Sequence, residues 1–149
     1  MNFSKKRFIA SMFVSFALAC ATATTPDANA PRIKVEQLPD SGFEATDRAG
    51  AVSVAYEMTV HNPTSDELHL RKIEMQTVGR SPYKLRDTPA DVDQAIPAGG
   101  DATATFTMWR FDRTGRSGIH EQVWVNGTAT FESPKGTVRV PFAESFVEP

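Results

Sequence analysis

The stretch Val52-Ser53-Val54-Ala55-Tyr56-Glu57-Met58-Thr59-Val60-His61 decides the fold class of this chain. Val52, Val54, Tyr56, Met58 and Val60 take every second position, with Ser53, Ala55, Glu57, Thr59 and His61 between them. Successive side chains of a strand point to opposite faces of a sheet, so this alternation predicts a half-buried strand.

The same period returns along the rest of the chain. Leu68, Leu70, Ile73 and Met75 predict a second strand, and the pair Arg71-Lys72 breaks its phase as a bulge would. Ala102 to Phe111, rich in Thr and aromatic residues, predicts another. Val123, Val125, Gly127, Ala129 and Phe131 alternate with polar residues, and Val138, Val140 and Phe142 close the series. Short strands are expected at Ile33–Val35, Tyr83–Leu85 and Val92–Ile96. No amphipathic helix is expected; Thr88 to Gln94 is the stretch able to make a single turn. Turn residues separate the strands at Asn62-Pro63-Thr64-Ser65-Asp66 and Pro97-Ala98-Gly99-Gly100-Asp101, and Ser133-Pro134-Lys135-Gly136 is expected to form a hairpin loop between the last two strands. About seven strands at this spacing predict an all-β fold, an immunoglobulin or fibronectin-III-like β-sandwich. The chain has 1 cysteine, so the sandwich is expected to be disulfide-free.

That cysteine, Cys20, ends a leader. Lys5, Lys6 and Arg7 precede the apolar run Phe8–Ala19, a pattern of export signals. About twelve apolar residues fall short of the roughly 20 that span a bilayer. The ending Ala19-Cys20 resembles a bacterial lipobox, which implies a lipid-bearing Cys20 as the first mature residue. Ala21 after the cysteine implies, by the same resemblance, an outer-membrane lipoprotein facing the periplasm. The alternative is cleavage after Ala21 or Ala23, leaving a soluble periplasmic protein. The expected organisation is a signal peptide over 1–19, a lipidated Cys20 and flexible tether over 20–31, and a β-domain over 32–149. The tether, Ala21 to Pro31, is small, polar and proline-bearing, and extends to about 35 Å.

The full chain carries 16 Lys and Arg against 18 Asp and Glu; without the leader's three basic residues its net charge is −5. An acidic, exported domain is not expected to bind nucleic acid, whose phosphates require a basic face.

Val60-His61-Asn62-Pro63-Thr64, followed by Leu68-His69-Leu70 and Ile73, resembles the water-stress and hypersensitive-response (WHy) domain of the late embryogenesis abundant family, type 2. Ile96-Pro97-Ala98-Gly99-Gly100 and the closing strands continue the resemblance, which covers about residues 50–142. It implies a β-sandwich, a role in desiccation or envelope-stress tolerance, and no catalytic residues.

The motifs of chemistry are sparse. His61, His69 and His120 are the only histidines. A hairpin about Ser65 would place His61 and His69 on neighbouring strands, but a metal site needs three or four converging ligands, and no metal or cofactor is expected. No Ser stands in Gly-x-Ser-x-Gly, and Ser117 near His120 is sequence closeness without a triad. Asp91 and Asp93 are read as a solvated loop. Arg110, Arg113 and Arg116 punctuate one strand end; Arg80, Lys84 and Arg86 form a second basic cluster. Trp109, Phe111 and Trp124 lie opposite the inward faces of their strands. Trp109, Arg110, Phe111, Arg113 and Trp124 are therefore the candidate interaction surface. The chain is expected to be non-enzymatic, bound to the membrane through Cys20 and open to an envelope protein partner. The rival expectation is a carrier of an apolar ligand, or an accessory lipoprotein docked on an envelope complex.

Overall fold

The computed structural model describes residues 29–39, 51–112 and 121–147. Every regular element among them is a strand, and there are eight where about seven were expected. They are β1 (Arg32–Gln37), β2 (Val52–His61), β3 (Leu68–Thr77), β4 (Tyr83–Leu85), β5 (Ala90–Ile96), β6 (Asp101–Asp112), β7 (Gln122–Ser133) and β8 (Gly136–Val147). The short strand expected at Val92–Ile96 is β5, and it begins at Ala90, inside the stretch able to make a single turn. Its alternation was weak because only Ile96 is fully buried and Asp91 and Asp93 face solvent along a sheet edge.

The strands form two four-stranded antiparallel sheets, ordered β1-β2-β6-β4 and β5-β3-β7-β8. The alternation of β2 is realised from Val54 onward, and Val52 at the strand's start is half-buried. Val54, Tyr56, Met58 and Val60 are at most 1% exposed, and they face Leu70, Ile73, Val123, Val125, Ala129 and Phe131 of the other sheet in one hydrophobic core. Burial of each such large side chain stabilises the fold by about 1.5–3 kcal/mol relative to exposure. The phase break at Arg71 is a register shift between Leu70 and Lys72, which returns Ile73 and Met75 to the inner side.

The chain changes sheet at five of its seven connections; only β1–β2 and β7–β8 are joined within one sheet. The β2–β3 link is therefore an arch between the sheets, not a hairpin. Its cause is Asn62. This side chain is fully buried, and its amide group replaces the strand pairing that Pro63 cannot continue. Asn62 Oδ1 accepts from Thr64 N–H (3.0 Å) and from the Thr64 hydroxyl (2.7 Å). Asn62 Nδ2 donates to the carbonyls of Asp66 (2.8 Å) and Pro97 (3.1 Å). Gly99, at φ 64°, donates its N–H to Thr64 O (3.0 Å), so the β5–β6 turn is tied to the same arch.

Edge strands are protected unevenly. Asp91 and Asp93 line β5, and Pro141 interrupts the free edge of β8. Inside, Tyr83 donates its hydroxyl proton to Gln37 Oε1 (2.8 Å) and lies 2.9 Å from the Tyr56 hydroxyl, which then donates to Tyr83. Gly127 provides the closest approach: a Cβ there would lie 2.3 Å from Glu74 O and 2.5 Å from Phe142 Cζ.

Candidate functional site

The N-terminal arm enters at one end of the molecule. Arg32 pairs with His61, which pairs with Asp101. Trp109, Phe111 and Trp124 all lie near the other end, at the finish of β6 and the start of β7. About eight residues of strand, roughly 26 Å, separate Asp101 from Trp109. The three aromatic residues thus share a pole away from the arm, but not a face: Trp109 and Phe111 project from the outside of the β1-β2-β6-β4 sheet, Trp124 from the outside of the other.

Arg110 does not join the exposed row. Alternation along β6 turns Ala104, Phe106, Met108 and Arg110 inward, and Arg110 is 5% exposed, its guanidinium 5.2 Å from the Tyr83 ring centroid. Its place beside the exposed rings is taken by Arg86, just after β4. Strand β4 pairs with β6 in the register Lys84↔Phe111 and Leu85↔Arg110. Arg86 N–H donates to Trp109 O (2.7 Å), and its guanidinium lies 5.8 Å from the Trp109 ring centroid and 5.3 Å from that of Phe111. Such stacking of a cation on aromatic rings stabilises by about 0.5–1 kcal/mol at exposed sites. Arg86 is thus brought to the outward rings of β6, while Arg110 points to the other side of the same sheet. Only the pairing of β4 with β6 shows this; the signal in the sequence was the alternation of Lys84 and Arg86 with buried Tyr83 and Leu85. Arg113, Arg116, His120 and Cys20 lie outside the described residues.

Trp124 is held differently. Its N–H donates to Ser81 Oγ (3.1 Å), and its carbonyl accepts from Val78 N–H (2.9 Å). Ser81 is 3% exposed and its hydroxyl reaches Val78 O (2.8 Å). The backbone is thus clamped while the indole stands 52% exposed. Val147, 54% exposed, pairs with Gln122 and lies diagonally across from Trp124, within side-chain reach on the same face. Among the described residues, two of the three large exposed hydrophobic side chains are neighbours.

His61 and His69 stand on different sheets. His61 Nδ1 lies 2.9 Å from Asp101 Oδ1, and His69 Nε2 lies 3.0 Å from Glu67 Oε1. Among the described residues no three His, Cys, Asp or Glu side chains gather where they would hold a metal ion. Asp93 belongs to an ion-pair group on the outer face of the second sheet. Arg71 bridges it to Glu132 (2.8 Å), and the hydrogen bond to Glu132 raises the guanidinium pKa above its ordinary value.

A groove of about 400 Å³, mostly apolar, opens at the arm end between Pro31, Leu68, Val138 and Val140. Val138 is 43% exposed there although it lies on the same side of β8 as buried Val140.

No family model matches this chain, and no curated protein matches it. Similar solved structures include the Northeast Structural Genomics Consortium target SoR45, at 12% identity and a TM-score of 0.46, covering 84% of this chain and 91% of that one. A protein from Archaeoglobus fulgidus is 11% identical with a TM-score of 0.49, over 79% of this chain and 96% of its own. A FixG-related protein from Vibrio parahaemolyticus is 10% identical with a TM-score of 0.36, over 79% and 95%.

Proposed function

We propose that this chain is a non-enzymatic exported lipoprotein, held at the cell envelope through Cys20, whose sandwich works as a binding module. The observation that carries the reading is Trp124: a half-exposed indole beside Val147, on a backbone clamped by Ser81, at the pole away from the arm. Exposed aromatic residues on a rigid frame are the usual anchors of protein interfaces, because little side-chain entropy is lost when they are covered. An immunoglobulin-type path is the finer reading of the fold. Pairing the second strand with the sixth, and the third with the seventh, is the non-local pairing of Greek-key sandwiches. The WHy resemblance adds a role in desiccation or envelope stress, with the contacted partner shielded during drying.

The test is cross-linking in intact envelopes, followed by isolation of the chain. A defined partner that is retained by wild type and lost from Trp124→Ala supports the module; identical capture by both proteins refutes it. Cys20→Ala is expected to abolish lipid labelling, and retained labelling would refute the anchor. For the stress role, the chain should preserve an unrelated enzyme through drying better than albumin does.

The groove at Leu68, Val138 and Val140 favours a second reading, the carrier of an apolar ligand. Lipid co-purifying with wild type but not with Val138→Asp would support it.

A further inference from the structure

We infer that two copies of this chain join edge to edge through β1, antiparallel about Val35, with Lys34 of each copy set against Glu36 of the other. The contact is separate from Trp124 and goes beyond the binding module proposed above.

The first observation is which sheet edge is open. The edge strands are β1 and β4 in one sheet, β5 and β8 in the other. Strand β4 has 3 residues, Asp91 and Asp93 line β5, and Pro141 interrupts β8. Short length, charge and proline each block the addition of a further strand. Strand β1 offers 6 residues with no proline and no charge on its inward row, Ile33, Val35 and Gln37. Its backbone phase follows from Leu38, whose N–H donates to Ala55 O (2.9 Å) in continuation of the β1–β2 register. Alternate residues of an antiparallel strand bond to the same neighbour. The even-numbered residues of β1 therefore bond to β2, and Ile33, Val35 and Gln37 direct their N–H and C=O groups to the open edge.

The second observation is that this edge complements itself. Two identical edges pair through their open groups, so odd-numbered residues must face odd-numbered ones. Centred on Val35, the pairing sets Val35 against Val35, Ile33 against Gln37 and Lys34 against Glu36. Lys34 and Glu36 then occupy the non-hydrogen-bonded positions, where Cα atoms are about 4.5 Å apart and side chains approach most closely. Both side chains are more than half exposed and lie 2.6 Å apart within one copy, so the four charges alternate in sign across the joined edge. The neighbouring allowed registers set Lys34 against Lys34 or Glu36 against Glu36, which repel. Charge thus selects one register and one partner.

The third observation is what the edge lacks alone. Glu36 stands opposite Glu57 across the β1–β2 pair, and like charges so placed are destabilising. Lys34 of the second copy brings a cation to the other side of Glu36. Gln37 is 8% exposed, and its Oε1 accepts from the Tyr83 hydroxyl. Its Nε2 has no acceptor among the described residues. Gln37 lines a groove of about 440 Å³ between β1 and β8, and the pairing brings the second copy's backbone at Ile33 alongside it.

The experiment is sedimentation equilibrium of the full chain in density-matched non-ionic detergent. Wild type is expected to be a dimer at about 0.1 mM, a concentration that reveals weak pairs. Lys34→Glu and Glu36→Lys should each be monomeric there, because either reversal makes both cross-strand pairs repulsive and weakens association about tenfold or more. An equimolar mixture of the two variants should form a dimer, since every Glu then faces a Lys. The double exchange, Lys34→Glu with Glu36→Lys, should dimerise by itself. Ile33→Pro removes an open-edge N–H without touching a β1–β2 hydrogen bond and should also abolish the dimer. Thermal midpoints followed by circular dichroism separate each effect from unfolding, and Lys34 and Glu36 are exposed. Hydrogen exchange should show the amides of Ile33, Val35 and Gln37 protected on dimerisation. A monomeric wild type would overturn the inference. So would a dimer indifferent to both reversals, a mixture that stays monomeric, or protection confined to Ala143 and Ser145 of β8. Trp124→Ala should leave the dimer intact, so failure of this inference is distinguishable from failure of the module.

Discussion

Replacing Asn62 by alanine should cost this domain about 3 kcal/mol, far more than its place in a surface turn suggests. The side chain is 0% exposed, and five polar groups converge on it, the Ile96 carbonyl the most distant at 3.4 Å. In Asn62→Ala the N–H of Thr64 loses its acceptor, while the carbonyl of Pro97 loses one of two donors and keeps the N–H of Gly100 (3.1 Å). The Asp66 carbonyl keeps a partner, because the Thr64 hydroxyl, released from Asn62, lies 3.0 Å away. One orphaned N–H at about 1–1.5 kcal/mol, two further hydrogen bonds lost at about 0.5–1 kcal/mol each, and a small void beside them give the total. For a domain of this size, 1 kcal/mol corresponds to about 4 °C of midpoint, so thermal unfolding followed by circular dichroism should show a fall of about 12 °C. Asn62→Asp sharpens the test. It retains both acceptor contacts to Thr64 but sets a carboxylate against the carbonyl oxygens of Asp66 and Pro97. Its deficit at neutral pH should equal that of alanine and shrink as the pH falls. Desolvation and those oxygens raise the folded carboxyl pKa, and the protonated acid regains a donor. Thr64→Val combined with Asn62→Ala should cost less than the sum of the two single changes, since they share a network. A loss below about 1 kcal/mol for Asn62→Ala would refute the view that this amide holds the arch between the sheets.

Gly127→Ala should destabilise by about 3 kcal/mol in urea denaturation, since its Cβ meets backbone at 2.3 Å, and Phe142→Leu should not rescue it because Glu74 O remains. Tyr83→Phe removes the shared hydroxyl between Gln37 and Tyr56 and should cost about 2 kcal/mol, measurably more than Tyr56→Phe. Trp124→Ala should shift the thermal midpoint by less than about 4 °C, because half of the indole is already in water, while removing partner capture. Arg71→Ala should change stability by less than about 1 kcal/mol despite its two carboxylate partners, all of them well exposed, and a larger loss would mean that the bulge depends on it.

Strand positions were legible because alternation reports directly on which side of a strand faces the core. Val52–Val60 displayed it without interruption, and the bulge at Arg71-Lys72 was visible as a break in phase. Edge strand β5 was harder to read, since Val92 is only partly buried and no strong period remains. Pairing partners were legible only for the last two strands, which pair about the Ser133–Gly136 turn. Nothing local tells whether the chain after Asn62 turns back beside β2 or crosses to the other sheet. The deciding contacts, with Ile96 to Gly100, lie more than thirty residues away. The same holds for the site. Trp109, Phe111 and Trp124 could be placed on outward positions, and alternation applied strictly would have turned Arg110 inward. That Arg86 covers the two rings follows from β4 joining the edge of β6, a choice made by the buried contacts of Tyr83 and Leu85.

The zigzag of the chain between its two sheets also governs when folding can begin. Of the long strands, β2 finds its main partner in β6, some forty residues later, and β3 finds its own in β7. Until β6 is made the chain can close only the β1–β2 and β3–β5 ribbons, and an isolated two-stranded ribbon is marginal in water. Loop closure over such separations comes late and makes assembly slow. A polypeptide wired in this way emerges as an open thread and stays threadable until its last third has been made.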